Sequence, residues 1–229
     1  MKKIAIINQK GGSGKTTLAA LVALGLAARE KSVLCVDLDP QGGLSMVMDQ
    51  PGPGMFEKLS FTDIEPSTVK RDGLVMDILR ADHRLDRIAY SVDDFALRDI
   101  LNAYHYDYAV LDCPPTMMGT SRAAALVSDM VLTPSDVSIM SIGPTMYSCH
   151  ELQRMKVKPH VILVNREPGP QATGYLAGLY HQYIADLGKF YQGRLDRNAT
   201  MQKMAGNKNH KFTKVVRERL EGILQVVGL

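Results

Sequence analysis

An α/β fold, a mostly parallel twisted sheet with helices on both faces, is predicted by three features of this sequence. Several segments are short continuous apolar runs instead of alternating ones, as expected of strands covered on both sides. A strand, a glycine-rich loop, a helix and a second strand follow one another before residue 38, the spacing of a βαβ unit. Further apolar runs of strand length recur to the end of the chain, separated by helical or turn-rich stretches.

Taken in order, Lys3–Asn8 reads as a buried strand, and the glycine loop follows it. Thr16–Arg29, rich in Ala and Leu, reads as a helix apolar on most faces. Ser32–Asp37 is a second buried strand, and Asp49-Gln50-Pro51-Gly52-Pro53-Gly54 is a break. Residues 55–105 carry weaker patterns; Leu85–Tyr90 reads as a strand and Asp93–Ala103 as a helix. Tyr108–Asp112, Met130–Pro134, His160–Asn165 and Phe190–Leu195 are further strands, and Thr213–Val227 is a closing helix. Glu167–Gln171 is a surface loop, and no internal repeat or low-complexity tract interrupts the pattern.

Composition narrows the function classes. The 229 residues are 45% hydrophobic and 22% charged, enough for a sizeable core, and are expected to form one domain over 1–229. The net charge of +3 is only mildly basic. Cys35, Cys113 and Cys149 are too far apart in sequence to read as a metal or redox pair, which fits a reducing cytosol. Lys2 and Lys3 precede an apolar stretch too short for a signal peptide. The longest apolar run, Leu18–Ala28, is well below the roughly 20 residues of a membrane span. A cytoplasmic protein is expected.

The loop Lys10-Gly11-Gly12-Ser13-Gly14-Lys15-Thr16-Thr17 carries the strongest chemical signal. Glycines let backbone N–H groups converge on phosphate oxygens, and the next helix points its N-terminus at the anion. Lys15 is placed to reach the β- and γ-phosphates, Thr16 to ligate Mg²⁺, and Thr17 to hold the α-phosphate. The first glycine of the general phosphate-loop pattern is displaced, but the physical logic is kept. Asp112 closes an apolar strand, where a carboxylate can hold Mg²⁺ through water. Asp37 and Asp39 flank Leu38 at another strand end, with alternation putting both on one side. The fold expected is that of a P-loop NTPase using ATP and Mg²⁺.

These residues resemble a known group. Lys10–Thr17 is similar to the deviant Walker A motif of the ParA/MinD family, Val36–Gly42 to its second motif, and Tyr106–Pro115 to its Walker B strand. Asp129–Pro134 also follows the family pattern. The likeness is dense over 1–50 and 104–135 and thinner elsewhere, and it leans toward the small ParA-type partition ATPases. It implies a slow ATPase that closes face to face as a homodimer with ATP between subunits and is stimulated by a partner. By position, Lys10 is the signature lysine that crosses to the other subunit's nucleotide, and Asp39 orients the attacking water. With Lys15 these form the expected catalytic set, and Asn165 resembles the residue that reads the adenine edge. The metal set expected is Thr16, Asp37 and Asp112, partly through water.

Three branches compete: a partition or cargo-positioning ATPase that binds DNA non-specifically, a MinD-like membrane-associated ATPase, and a biosynthetic or metal-carrier P-loop enzyme. Between Arg194 and Glu221 eight basic residues stand against three acidic ones, while the rest of the chain is net −2. Such clustering is the footprint of phosphate-backbone binding, with Arg197, Lys203, Lys208, Lys211 and Arg217 as candidate contacts. The closing helix could lie on a membrane, but packing of its apolar side on the domain is the favoured reading. Cys113 stands alone, which weighs against metal carriage. The expectation is a nucleoid-associated ATPase with a ParB-like or other cargo adaptor and no stable membrane association.

Overall fold

The computed structural model describes residues 1–164, 175–195, 203, 205, 206 and 211–229. Eight strands form one sheet: β1 (Lys2–Ile6), β2 (Val33–Asp37), β3 (Ser67–Arg71), β4 (Leu74–Leu79), β5 (Tyr108–Asp112), β6 (Met130–Ser135), β7 (Pro159–Val164) and β8 (Tyr191–Leu195). Their order is β3-β4-β2-β5-β1-β6-β7-β8, and only the β3–β4 pair is antiparallel. The helices among the described residues are α1 (Lys15–Ala28), α2 (Gly43–Met48), α3 (Met55–Leu59), α4 (Asp94–Asn102), α5 (Thr120–Val127), α6 (Ile139–Arg154), α7 (Tyr175–Leu187) and α8 (Lys214–Val227).

The continuous apolar strands are explained by two cores. Along β1 and the residue after it, Ile4 and Ile6 enter one core while Ala5 and Ile7 enter the other. In β2, Cys35 faces the first core, and Leu34 and Val36 face the second. Helices α1, α2 and α8 cover the first face, and α4 and α5 cover the second. A side chain is needed in both directions, so the period-2 alternation of a half-exposed strand disappears.

The middle of the chain differs from expectation. The predicted strand at Leu85–Tyr90 is instead a 3₁₀ helix, His83–Arg87. The Asp82 carboxylate accepts from the Arg84 backbone N–H and pairs with its guanidinium at 2.7 Å, so the local hydrogen bonds favour a turn. Leu85 anchors that turn in the second core. The sheet also gains a β3–β4 hairpin that the apolar pattern does not predict. Asp72 and Gly73 form its two-residue turn with φ of 46° and 84°. Positive φ at both positions matches the twist of antiparallel strands, which is why Asp-Gly suits such turns. In β4, Leu74, Met76 and Ile78 are buried while Val75 is exposed, a half-buried strand near the sheet edge.

Helix α8 packs on α1. Val216, Leu220, Ile223, Leu224 and Val227 are buried, spaced as one helical face. The Thr213 side chain caps its start, and Arg29 holds Glu221 through two hydrogen bonds of 2.8 and 2.6 Å. Close approach depends on Gly25, where a Cβ would stand 3.0 Å from Leu224. Cys35, Cys113 and Cys149 are buried and unbonded to one another. No helix among the described residues is long and apolar enough to cross a membrane.

Leu224→Ala is expected to lower unfolding free energy in urea by about 2–5 kcal/mol, because it leaves a cavity beside Gly25. Val215→Ala, on the outer face, should change it by less than about 0.5 kcal/mol. Equal small effects would contradict the packing of α8 on α1.

Candidate nucleotide-binding site

β1 lies between β5 and β6, and successive chain segments leave it in both directions across the sheet. Its C-terminal end is the switch point where open parallel sheets form clefts. The chain passes from Ile6 through Ile7 and Asn8 into the glycine loop and enters α1 at Lys15. Gly12 and Gly14 adopt φ of 74° and 95°, which L side chains rarely tolerate. A Cβ at Gly11 or Gly12 would meet nothing within 4 Å, so internal crowding does not explain those glycines. They leave the backbone bare toward a cleft of about 320 Å³, lined by residues 11–17 with Asp39, Pro115, Asp136 and Val164. The first turn of α1 carries no acidic residue, so its positive end is unopposed by its own side chains.

The cleft floor concentrates charge. Lys15 is buried, and its ammonium donates to the Lys10 carbonyl at 3.2 Å. The Thr16 hydroxyl donates to Asp112 Oδ2 at 2.7 Å. Asp112 and Asp37 are fully buried and sit opposite each other on neighbouring strands. Asp37 Oδ2 accepts from both the backbone N–H and the hydroxyl of Ser45 at 2.7 Å, and Oδ1 accepts from Asp39 N–H at 3.2 Å. Burial pushes the Asp37 carboxyl up to about 6, against the pull of the Ser45 bonds. Burial and the Asp37 charge push Asp112 well above the usual carboxylate range. Burial lowers the Lys15 ammonium, with Asp112 and Asp39 opposing the shift. Asp112 Oδ1 and the Ser13 hydroxyl have no hydrogen-bond partner despite being buried. An orphaned carboxylate oxygen beside a hydroxyl is the donor set that a small hard cation takes. The residues present therefore fit a magnesium-bound polyphosphate.

Most of the expected phosphate site comes together here. Lys10, the glycines, Lys15, Thr16, Thr17, Asp37, Asp39 and Asp112 meet at the ends of β1, β2 and β5. Asp39 is half-buried on the cleft wall, where its Oδ1 also accepts from Gln41 N–H at 2.9 Å. Asp37 stands behind it, with its oxygens engaged by Ser45 and Asp39. Asn165, Arg197 and Lys208 lie outside the described residues. Lys203, Lys211 and Arg217 are exposed and far along the chain, on the segment that meets the β3–β4 hairpin. There Phe212 N–H donates to Asp72 at 2.6 Å and Arg71 donates to the Ala205 carbonyl at 3.3 Å. Sequence reasoning missed Ser45, Asp136 and Val164. Ser45 had one usable signal, a small hydroxyl residue just after Gly42-Gly43 at the start of a short helix.

The Ser45 hydroxyl also accepts from Ala81 N–H at 2.8 Å, so it ties β4 to Asp37. Ser45→Ala is expected to cost the nucleotide-free protein about 1–3 kcal/mol through unsatisfied buried groups. The raised Asp37 pKa means its contribution is present at low pH and lost as pH rises through about 6. Losing a bond to the carboxylate raises that pKa further. The penalty in denaturant unfolding should therefore be larger at pH 8 than at pH 5, and equal penalties would show that Asp37 carries no charge at this site.

Comparison with known proteins agrees with this geometry. A family model described as an AAA domain matches residues 1–158. The chromosome partitioning protein ParA of Myxococcus xanthus (strain DK1622) is 30% identical over 174 residues, covering 67% of this chain and 58% of the relative. The sporulation initiation inhibitor protein Soj of Bacillus subtilis (strain 168) is 34% identical over 151 residues, covering 58% of this chain and 57% of the relative. The chain thus spans little more than half the length of these curated relatives. Among solved structures, apo McdA of Cyanothece superposes with a TM-score of 0.80 at 18% identity, covering 100% of both chains. pNOB8 ParA bound to nonspecific DNA gives 0.73 at 18% identity, covering 99% of this chain and 98% of the other. A glycine loop with two lysines, a paired-carboxylate floor and this match over more than half the sequence have one common reading: the chain belongs to the ParA/MinD family of P-loop ATPases.

Proposed function

We propose that this protein is a ParA-like ATPase that closes as an ATP-dependent sandwich dimer, binds DNA non-specifically and drives DNA segregation or cargo positioning. The observation that carries this reading is the division of labour between the two loop lysines. Lys15 is buried in its own cleft, already turned to the loop carbonyl. Lys10 is half-buried, and among the described residues its ammonium has no acceptor of its own. A second cation beside a phosphate cleft that is already served from within suits the nucleotide of a facing subunit. A γ-phosphate held from both sides makes the dimer conditional on ATP.

In this reading Thr16 and Asp112 hold Mg²⁺, with Asp37 acting through water or from behind, and the ion neutralises phosphate charge. Gly11–Gly14 present backbone N–H groups to the phosphates, Lys15 supplies charge, and Thr17 and Asn165 serve the α-phosphate and the base. Asp39, on the cleft wall, holds water for in-line attack. A ParB-like or other cargo adaptor stimulates hydrolysis, and the protein works in the cytoplasm on the nucleoid. The MinD-like alternative needs an apolar helix face to spare, whereas that face of α8 is spent on α1. The metal-carrier alternative needs paired cysteines in each subunit, whereas Cys113 stands alone after Asp112 and is buried and unbonded to another cysteine.

Asp39→Ala should bind ATP and dimerise while hydrolysis falls by about 10²-fold or more. Lys10→Ala should retain monomer ATP affinity and impair, without abolishing, ATP-dependent dimerisation. Calorimetry, phosphate release and sedimentation separate these outcomes, and a Lys10→Ala protein that dimerises normally would remove the sandwich reading.

DNA retention should appear with ATP and not with ADP, with little sequence preference. Changing Lys203, Lys211 and Arg217 together to Glu should abolish it without affecting dimerisation. Replacing them one at a time should flatten the log–log salt dependence by about 0.9 for each phosphate that is no longer neutralised. Equal retention in all nucleotide states would refute the switch, and ATP-dependent liposome binding without DNA binding would favour the membrane branch.

A further inference from the structure

Asn8 is fully buried at the point where β1 gives way to the glycine loop. Its carboxamide uses all of its main hydrogen-bonding directions. Nδ2 donates to the Pro134 carbonyl at 2.9 Å and to Thr145 Oγ1 at 3.1 Å. Oδ1 accepts from Lys10 N–H at 3.0 Å and shares the single proton of the Ser148 hydroxyl, at 3.3 Å, with the Pro144 carbonyl at 3.0 Å. Ser148 in turn accepts from Gln9 N–H at 3.1 Å. The two peptide N–H groups just before Gly11 are thus both held by side chains, one by Asn8 and one by α6. On the other side of residue 10, the Lys10 carbonyl accepts from Lys15. The backbone that carries the Lys10 side chain is gripped at both its N–H and its carbonyl.

The grip does not end at α6. Thr145 Oγ1 and Ser135 Oγ lie 2.8 Å apart, and Ser135 Oγ lies 2.5 Å from the Tyr183 hydroxyl of α7. One set of proton positions satisfies every member: Asn8 donates to Thr145, Thr145 and Tyr183 donate to Ser135, and Ser135 donates to the Asp136 carbonyl at 3.2 Å. Ser135, Thr145, Ser148 and Tyr183 are all fully buried. A buried network in which every member can be hydrogen-bonded resists rotation of its members, so it transmits position instead of absorbing it.

We infer that Asn8, with Thr145 and Ser148 of α6, forms a clamp of positioning residues for Lys10. This rests on the reading of Lys10 as the lysine that serves the facing subunit. The clamp sets the direction in which Lys10 leaves the loop and makes that direction depend on where α6 sits. Lys15 lies beyond Gly14, in the first turn of α1, and is held by α1 itself. Disturbing the clamp therefore weakens dimer closure while leaving a subunit's own nucleotide in place.

The test is a double-mutant cycle on Ser148→Ala and Lys10→Ala. It reads ATP affinity by calorimetry, ATP-dependent dimerisation by sedimentation and folding by thermal melting. Ser148→Ala removes both the acceptor of Gln9 N–H and the hydroxyl donor. One such loss weakens the dimer about 2- to 13-fold and the two together by more, with ATP affinity within about twofold of wild type. The double variant should be no weaker than Lys10→Ala alone, because the clamp acts through Lys10. A second pair covers failure of Ser148→Ala to fold: Thr145→Val should weaken the dimer and Thr145→Ser should restore it. Losses that add to that of Lys10→Ala, a silent Ser148→Ala, or equal loss of ATP binding and dimerisation would each overturn the clamp while leaving the role of Lys10 standing. If Lys10→Ala itself dimerises like wild type, the role of Lys10 falls and the clamp falls with it.

Discussion

Asp37 and Asp112 face each other across neighbouring strands, fully buried, with one lysine for company. Like charges in a low-dielectric interior repel strongly, and the fold tolerates this pair only through specific support. Ser45 supplies two hydrogen bonds to Asp37, Thr16 supplies one to Asp112, and Lys15 lies close enough to oppose the upward shift of Asp112. The support converges from two helices, α2 on one side and the first turn of α1 on the other. The arrangement explains why a six-residue helix follows β2 so closely, and why the Ser45 hydroxyl also takes Ala81 N–H. An arrangement short of one positive charge is a poor way to stabilise an apo protein and a good way to prefer a cation-bound one.

The rest of the sheet serves that corner. Placing β1 between β5 and β6 brings the loop, Asp112 and the Asp136 wall together, although the loop and Asp136 are more than a hundred residues apart in sequence. The two-sided apolar core fixes the strand ends, and α1, backed by α8, holds the loop from one side. The Asn8 network holds it from the other. A glycine loop has little stiffness of its own, so its shape is imposed by what grips its ends.

Much of this was legible from residue types. The glycine loop, the apolar strands and the strand-end carboxylates are local patterns, and their spacing carries the βαβ unit and the cleft with it. The β3–β4 hairpin was missed although Asp72-Gly73 is a turn signal, because its strands are short and half-buried beside polar neighbours such as Lys70 and Asp77. Leu85–Tyr90 was misread because an apolar run says nothing of the Asp82 carboxylate that bends the chain before it. The Asn8 partners were invisible for a different reason, and Ser45 showed no more than its place just after Gly42-Gly43. Their roles come from contacts across 8 to 140 residues, and serine and threonine carry no signature of such contacts.

The three cysteines give the fold a built-in set of reporters. Cys35 lies in β2 on one core, Cys113 follows Asp112 at the cleft, and Cys149 sits on α6 within the third apolar cluster. Burial pushes all three thiols up, Cys35 and Cys149 to about 12, so in the closed protein they hold their protons and stay out of reach of alkylating reagents. Any modification then records an opening, and each thiol records a different one. Cys35 follows the sheet centre, Cys149 the α6 layer, and Cys113 the wall beside the phosphate loop. The relative rates at which the three react give a map of local opening without any probe being introduced.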